Sequence, residues 1–181
     1  MHEALSEIRH EHSQMAELLA ILEREMLKLK EGANADFFLI DELVDFFESF
    51  PESVHHHKED IIYEALAPKL VAAAYALPDL EAEHAELEKL ANDAADCIRA
   101  VENNEEVSRE TLFQTVKAYI DRTRKHMQAE ESRFLPAADK HLTDEEWSEI
   151  DAQIDAVKSD VQTQSAIDRL KVFHDQLLGM V

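Results

Sequence analysis

Two short stretches of the sequence, HHHKED at residues 55–60 and HMQAEE at residues 126–131, decide the fold. In each, a histidine is followed four residues later by a glutamate: His55 and Glu59 in the first, His126 and Glu130 in the second. Side chains four residues apart lie on one face of an α-helix, and Ile62 and Leu66 continue the face of the first pair. We therefore expect that face to point into an apolar interior, where histidine and glutamate are costly unless they are paired or bind a metal ion.

The two stretches belong to a longer internal repeat. The dipeptide Glu11-His12 recurs 72 residues later as Glu83-His84, and the two histidine–glutamate pairs are 71 residues apart. Two matches with nearly equal spacing indicate a duplicated helical hairpin. A duplication implies a pseudo-two-fold axis, on which two equivalent sets of ligands would meet.

The composition predicts an all-α fold, because 181 residues contain only 2 Gly and 4 Pro and are rich in good helix formers. Apolar periodicity and capping residues predict four long helices: from about Leu5 to Leu29 with a stop at Gly32, from Asp36 to Leu66 with a bend near Pro51, from Pro78 to Val101, and from Ser108 to His141. Residues 67–78 are compatible with a helical continuation or a collapsed loop. Four long helices with short connections favour an up-down-up-down four-helix bundle.

The last part of the chain is predicted to be a helical extension packed on this bundle. Thr143 and Glu146 form a capping-box pattern at the start of one helix, and a further amphipathic stretch runs from Val161 to Met180. The predicted organisation is therefore a bundle at residues 1–142 and an extension at residues 143–181.

The charge of the chain argues against two classes of partner. With 18 basic and 40 acidic residues the net charge is −22, which repels nucleic acid and anionic membrane surfaces. The basic stretch at residues 122–125 is followed closely by Glu130 and Glu131. We therefore expect neither nucleic acid nor a membrane as a partner.

Cysteine content and the amino terminus predict a cytoplasmic protein. Cys97 is the single cysteine and cannot form an intramolecular disulfide, and the first residues are charged, unlike a secretory signal. The longest apolar run, residues 70–77, is much shorter than the roughly 20 residues that span a bilayer.

The repeated histidines and glutamates predict a pair of metal ions. Imidazoles with bridging carboxylates suit iron, and a core of four helices is a known way to hold two metal ions. Each ion would receive two histidines from its own half, with Glu59 and Glu130 bridging the pair. An oxo or hydroxo bridge would complete about five ligands per iron and leave a position for dioxygen, nitric oxide or a peroxide.

The sequence resembles the hemerythrin-like family of HHE cation-binding domains, in the form of its bacterial cytosolic members. The hallmark of that family is a histidine on one helix and His-x-x-x-Glu on the next, both occurring twice, and this chain has that pattern over about residues 5–142. The resemblance implies four terminal histidine ligands and two bridging carboxylates: His12, His55, His84 and His126, with Glu59 and Glu130.

The sequence departs from the oxygen-carrying hemerythrins at two positions. Those proteins have a fifth histidine one turn after the third-helix ligand and a bridging aspartate on the fourth helix, and this chain has Glu88 and Glu130 in those roles. The departure weakens assignment as a pure oxygen carrier. His56 and Glu88 are candidates for additional ligands, the alternative being a supporting or solvent-exposed role.

Three functions are compatible with such a site. A di-iron centre can reversibly bind or sense a small diatomic or peroxide ligand, or it can turn over peroxide or nitric oxide as an enzyme with an electron donor that the sequence does not identify. Iron storage or handling is a third function, drawing on Glu81-x-x-His84 and Glu52-x-x-His55. It is disfavoured because Thr123 stands where the fourth helix of a ferritin-like site would have a glutamate.

Overall fold

The computed structural model describes residues 2–72 and 79–178, which are helical apart from short connections and contain no β-strand. The prediction of an all-α chain is confirmed. The described residues form eight α-helices: α1 (Glu3–Glu31), α2 (Phe37–Phe50), α3 (His56–Ala72), α4 (Leu80–Glu102), α5 (Arg109–Ala129), α6 (Leu135–His141), α7 (Asp144–Lys158) and α8 (Val161–Leu178). Within these ranges, no helix is both long enough and apolar enough to cross a membrane.

Helix α1 ends where the sequence predicts. Gly32 adopts a left-handed conformation with φ 73°, which glycine accepts without a steric penalty. Its N–H donates to the Leu29 carbonyl at 3.1 Å. Asp36 then caps α2 by accepting a hydrogen bond from the Leu39 N–H at 3.1 Å.

The second predicted helix is interrupted by a π-helical turn at Pro51–His55, which separates α2 from α3. Proline has no N–H to donate to the carbonyl four residues earlier, here that of Phe47, and the Tyr119 hydroxyl donates to this carbonyl at 3.5 Å instead. The predicted bend near Pro51 is thus a wide turn that ends at His55, the histidine of the first histidine–glutamate pair. The connection after Leu66 is helical up to Ala72, and residues 73–78 lie outside the described residues.

The second hairpin begins at Asp79, one residue after the predicted start at Pro78, and its second helix begins at the predicted cap Ser108 and is also interrupted. Asp79 accepts a hydrogen bond from the Ala82 N–H at 3.2 Å, and Ser108 accepts one from the Thr111 N–H at 3.0 Å. A second π-helical turn, Glu130–Phe134, separates α5 from α6, so the helix predicted to run unbroken to His141 has two parts.

Two apolar clusters fill the interior. The chain passes from one cluster to the other four times: along α1, along α2 and α3, along α4, and along α5 and α6. We call these four segments the arms. The two clusters are the phenylalanine cluster, built around Phe46, Phe47 and Phe50, and the tryptophan cluster, built around Trp147 with Leu5 and Phe134. The first and third arms run from the tryptophan cluster to the phenylalanine cluster, and the second and fourth arms run in the opposite direction. The residues that mark these passages are Ile8 then Met15, Leu80 then Ala91, Phe50 then Ile62, and Ile120 then Phe134. The predicted ligands lie between the two clusters.

The arms form a closed ring, because α1 contacts α2 and α5, and α4 contacts the same two helices. The carboxy-terminal helices pack on this ring, α7 against α3 and α8 against α2. The predicted capping box at the start of α7 is present: Thr143 N–H donates to the Glu146 carboxylate at 2.8 Å, and Glu146 N–H donates to the Thr143 hydroxyl at 3.4 Å.

Candidate metal centre

The structure brings seven of the eight residues considered as ligands into the space between the two clusters, and all seven are buried. They form two groups that share Glu59, and within each group the ligand atoms lie within 4.8 Å of one another. One group consists of His12, His55, Glu59 and Glu130; the other consists of His56, Glu59, His84 and His126. Each group contains both terminal histidines of one half of the repeat.

The two glutamates lie between the groups. Glu59 directs Oε1 toward the first group, 3.3 Å from His55 Nε2 and 3.4 Å from His12 Nε2, and directs Oε2 toward the second, 3.5 Å from His84 Nε2. Glu130 also turns one oxygen toward each group: Oε2 lies 3.3 Å from His12 Nε2, and Oε1 lies 3.1 Å from His126 Nε2. Each carboxylate can therefore bridge two metal ions.

The donor atoms that face inward fit a pair of metal ions. Among the described residues they have no hydrogen-bond partner. They are Nε2 of His12, His55, His84 and His126, and both carboxylate oxygens of Glu59 and Glu130. These eight atoms meet one another only as histidine–glutamate ion pairs at 3.1–3.9 Å, and a buried polar atom that lacks a hydrogen bond costs about 1–3 kcal/mol. Nitrogen and oxygen donors at these positions would be satisfied by coordination.

The outward-facing nitrogen of each terminal histidine is held by an acid. The four Nδ1–H groups donate at 2.9–3.0 Å, and the pairs are His12 with Glu131, His55 with Glu11, His84 with Asp60, and His126 with Glu83. Such a bond fixes the ring orientation and directs Nε2 toward the metal. All four imidazoles are thus prepared for coordination through Nε2.

None of these four acids is predicted to be functional from the sequence. Each stands directly beside a ligand in the chain but serves a ligand on another helix: Glu11 precedes His12, Asp60 follows Glu59, Glu83 precedes His84, and Glu131 follows Glu130. The signal that could have found them is the repeat itself, because an acid accompanies the ligand at all four matching places.

In the metal-free site, raised pKa values keep His12 and His84 protonated at neutral pH. Burial lowers the pKa of His12, but contacts with Glu130 and Glu59 outweigh burial and raise it to about 11. Burial also lowers the pKa of His84, and the hydrogen bond to Asp60, with the same two glutamates, raises it to about 11. Burial raises the pKa of both glutamates, but the histidines hold it below the usual range. A metal ion must therefore displace protons from the histidines.

This competition predicts that metal stabilises the protein more as pH rises. A raised histidine pKa stabilises the metal-free fold below pH 6.5, and that stabilisation is lost as pH rises toward 11. Each proton displaced by metal is worth about 1.4 kcal/mol per pH unit. For His12 and His84 together, the gap in Tm between loaded and metal-free protein should widen by roughly 5–10 °C from pH 6.5 to pH 7.5. Thermal melts of both forms measure the gap, and a constant gap would contradict the prediction.

Comparison with known proteins agrees with this geometry. Residues 3–138 match the family model described as the hemerythrin HHE cation binding domain. The chain belongs to the hemerythrin family of HHE domains. No curated protein and no solved structure matches it. Hemerythrin HHE domains bind cations, and the matched residues include all eight predicted ligands.

The two additional candidates within this hemerythrin domain lie in different surroundings. The His56 ring is 4% exposed and stacks on the His84 ring with centroids 4.0 Å apart. Glu88 is exposed and lies outside both groups. It lines a crevice of about 10 Å³ together with His56, Leu87 and Thr123. The structure therefore places His56 with the metal groups and Glu88 beside a narrow opening next to them.

Proposed function

We propose that this hemerythrin-family protein is a non-haem di-iron protein that binds or senses a small diatomic or peroxide ligand. The observation that carries the proposal is the pair of buried ligand groups sharing Glu59, with eight inward-facing donor atoms that lack a hydrogen-bond partner among the described residues. His12 and His55 would hold one iron, and His84 and His126 the other, with both glutamates bridging. Two such irons, joined by an oxo or hydroxo bridge, would supply electrons to a bound small molecule.

The fold that we propose for this centre is an up-down-up-down bundle at residues 1–142 with an extension at residues 143–181. The alternating order of the two clusters along the four arms supports it, as does the closed ring of contacts among α1, α2, α4 and α5. In this arrangement each arm contributes to the layer between the clusters.

The number of histidines gives the two irons different surroundings. Two belong to the first group and three to the second, because His56 adds to the terminal pair there. His56, which belongs to the first hairpin, can thus take the role of the fifth histidine that oxygen-carrying hemerythrins have at the position of Glu88. We propose His56 as an additional ligand on the second iron.

The size of the crevice supports a very small ligand. Its volume of about 10 Å³ is close to the space that one water molecule needs. Its walls include the largely apolar side chains of Phe47, Leu87, Ala91 and Tyr119. A diatomic molecule or hydrogen peroxide matches this opening better than an organic substrate.

Iron analysis followed by gas exposure tests the proposal. Protein purified without oxygen should contain two irons per chain, in line with its two ligand groups. Dioxygen or nitric oxide should change the iron absorption spectrum, and a change that reverses when the gas is removed is expected for a binding protein or sensor. One iron per chain, none, or an unchanged spectrum would contradict it.

Peroxide turnover is the second candidate function, and the position of Glu88 favours it. This exposed carboxylate lines the same crevice as the buried His56, so it can exchange protons with solvent and with a molecule entering there. An acid or base in such a position typically contributes about 10²–10⁴ to a rate.

For that function, Glu88→Gln should keep both irons and slow peroxide turnover by at least about tenfold, because the amide keeps the shape but does not transfer a proton. The matched control is Glu81→Gln, an exposed glutamate on the same helix. Peroxide consumption and iron content are measured in both variants. Equal rates in the two variants would remove Glu88 from the reaction, and loss of iron in Glu88→Gln would make it a ligand.

A further inference from the structure

A buried lysine breaks the symmetry of the two ligand sets. Lys58 stands directly before Glu59, and its side chain is 1% exposed. The equivalent position in the second half, directly before Glu130, is Ala129. One half of the centre therefore has a buried cation that the other half lacks at the matching place.

Lys58 acts on the centre through Glu11. Its ammonium group donates to Glu11 Oε1 and lies 3.3 Å from Glu7 Oε1. The other oxygen of Glu11 accepts the hydrogen bond from His55 Nδ1 at 2.9 Å. Glu7 is also paired with Lys158 of α7. A chain of charged contacts thus connects the carboxy-terminal extension to one terminal histidine.

Glu11 differs from the three other acids that hold histidines. Its side chain is 7% exposed, whereas those of Glu83, Glu131 and Asp60 are 22%, 37% and 43% exposed. Water screens the charges of the exposed acids. Screening is weak at the buried acid, so the neighbouring ammonium group has a large effect on how negative Glu11 is toward His55.

We propose that Lys58 is a positioning residue that holds Glu11 against His55 and makes the iron held by His12 and His55 electronically different from its partner. A carboxylate bonded to Nδ1–H increases electron donation from Nε2 to a metal ion. The buried ammonium of Lys58 opposes that increase strongly in the first half, whereas in the second half the partly exposed Arg122–Glu83 pair opposes it less. This inference rests on the proposed di-iron site and adds a second difference between the two irons, beside the additional histidine His56 of the second group.

The test compares Lys58→Met, Glu11→Gln and the double variant, all loaded with iron. Lys58→Met leaves the Glu11 charge unopposed, so the midpoint potential of one iron should fall, and its Mössbauer doublet should shift. Glu11→Gln should raise that potential. Adding Lys58→Met to Glu11→Gln restores the net charge and should return the potential toward the wild-type value. The double variant has no unpaired buried charge, so it serves as the test should Lys58→Met fail to fold.

The matched control is Arg122→Met in the second half. Arg122 lies 3.4 Å from Glu83, the acid that holds His126, just as Lys58 contacts the acid that holds His55. Because that pair is partly exposed, Arg122→Met should change the potentials less than Lys58→Met does.

Each outcome bears on a different statement. Wild-type protein with fewer than two irons would refute the di-iron site and this inference with it. Two irons in every variant, with Lys58→Met no different from Arg122→Met, or with the double variant no different from Glu11→Gln, would overturn the inference alone.

Discussion

Replacing Glu59 with alanine should reduce bound iron from two per chain to less than one. Glu59 is fully buried, belongs to both ligand groups and turns one oxygen toward each. In the proposed di-iron centre, its removal would take a ligand from both irons at once and remove a negative charge that offsets theirs. The loss should therefore exceed that of any single-histidine variant such as His84→Ala. Glu130→Ala should have a similar effect, and iron per chain is measured after desalting.

Two controls lie on the same helix. His57→Ala removes an exposed histidine two residues before Glu59, about 200° around the helix axis from it. Glu64→Ala removes an exposed glutamate. Both controls should retain two irons, and iron loss in them equal to that of Glu59→Ala would mean that the helix as a whole, rather than the bridging carboxylate, holds the metal.

Removing the metal from wild-type protein should lower Tm by roughly 10–20 °C. Ligands from α1, α3, α4 and α5 converge only in the folded state, so metal binding favours folding. At metal concentrations about 100 times Kd, each site contributes about 2.7 kcal/mol, and each kcal/mol shifts Tm by about 2–4 °C in a chain of this size.

Thermal melts before and after chelation, and after readdition of iron, measure the shift. Glu59→Ala supplies the control, because a variant that does not load metal should show no shift on chelation. A wild-type Tm unaffected by chelation would show that the cavity between the clusters is stable without metal.

The convergence of the four histidines could be predicted from sequence because their signal is local and occurs twice. Helical spacing places His55 with Glu59, and His126 with Glu130, on one face whatever else surrounds them. The repeat then joins these pairs to His12 and His84. The structure brings all six together in the layer between the two clusters.

The position of Glu88 could not be predicted from helical spacing alone. A residue four positions after His84 is expected on the same face, yet Glu88 is exposed. The buried face of α4 continues instead through Leu87 and Ala91. Around the helix axis, Leu87 lies about 60° and Ala91 about 20° from His84, in the direction opposite to Glu88. Which side of a ligand becomes buried depends on the neighbouring helices, and spacing within one helix does not contain that information.

The first π-helical turn and the acids behind the histidines had to come from the structure for related reasons. Pro51 indicates a bend but not its width, and the wide turn arises where Tyr119 of another helix supplies a hydrogen bond to the Phe47 carbonyl. Glu11 lies next to His12 in the chain but holds a histidine 44 residues away. Contacts between helices decide both features.

The acids behind the histidines also determine which part of the chain can function as a unit. Two of the four bonds lie inside a hairpin, Glu11 to His55 and Glu83 to His126. The other two, Asp60 to His84 and Glu131 to His12, cross from one hairpin to the other and close a circuit through all four arms. A hairpin alone would lack the acid that orients one of its two histidines, and it would have only one of the two glutamates, Glu59 or Glu130. The molecule therefore resembles a pseudo-two-fold dimer contained in one polypeptide, in which each half orients one histidine of the other.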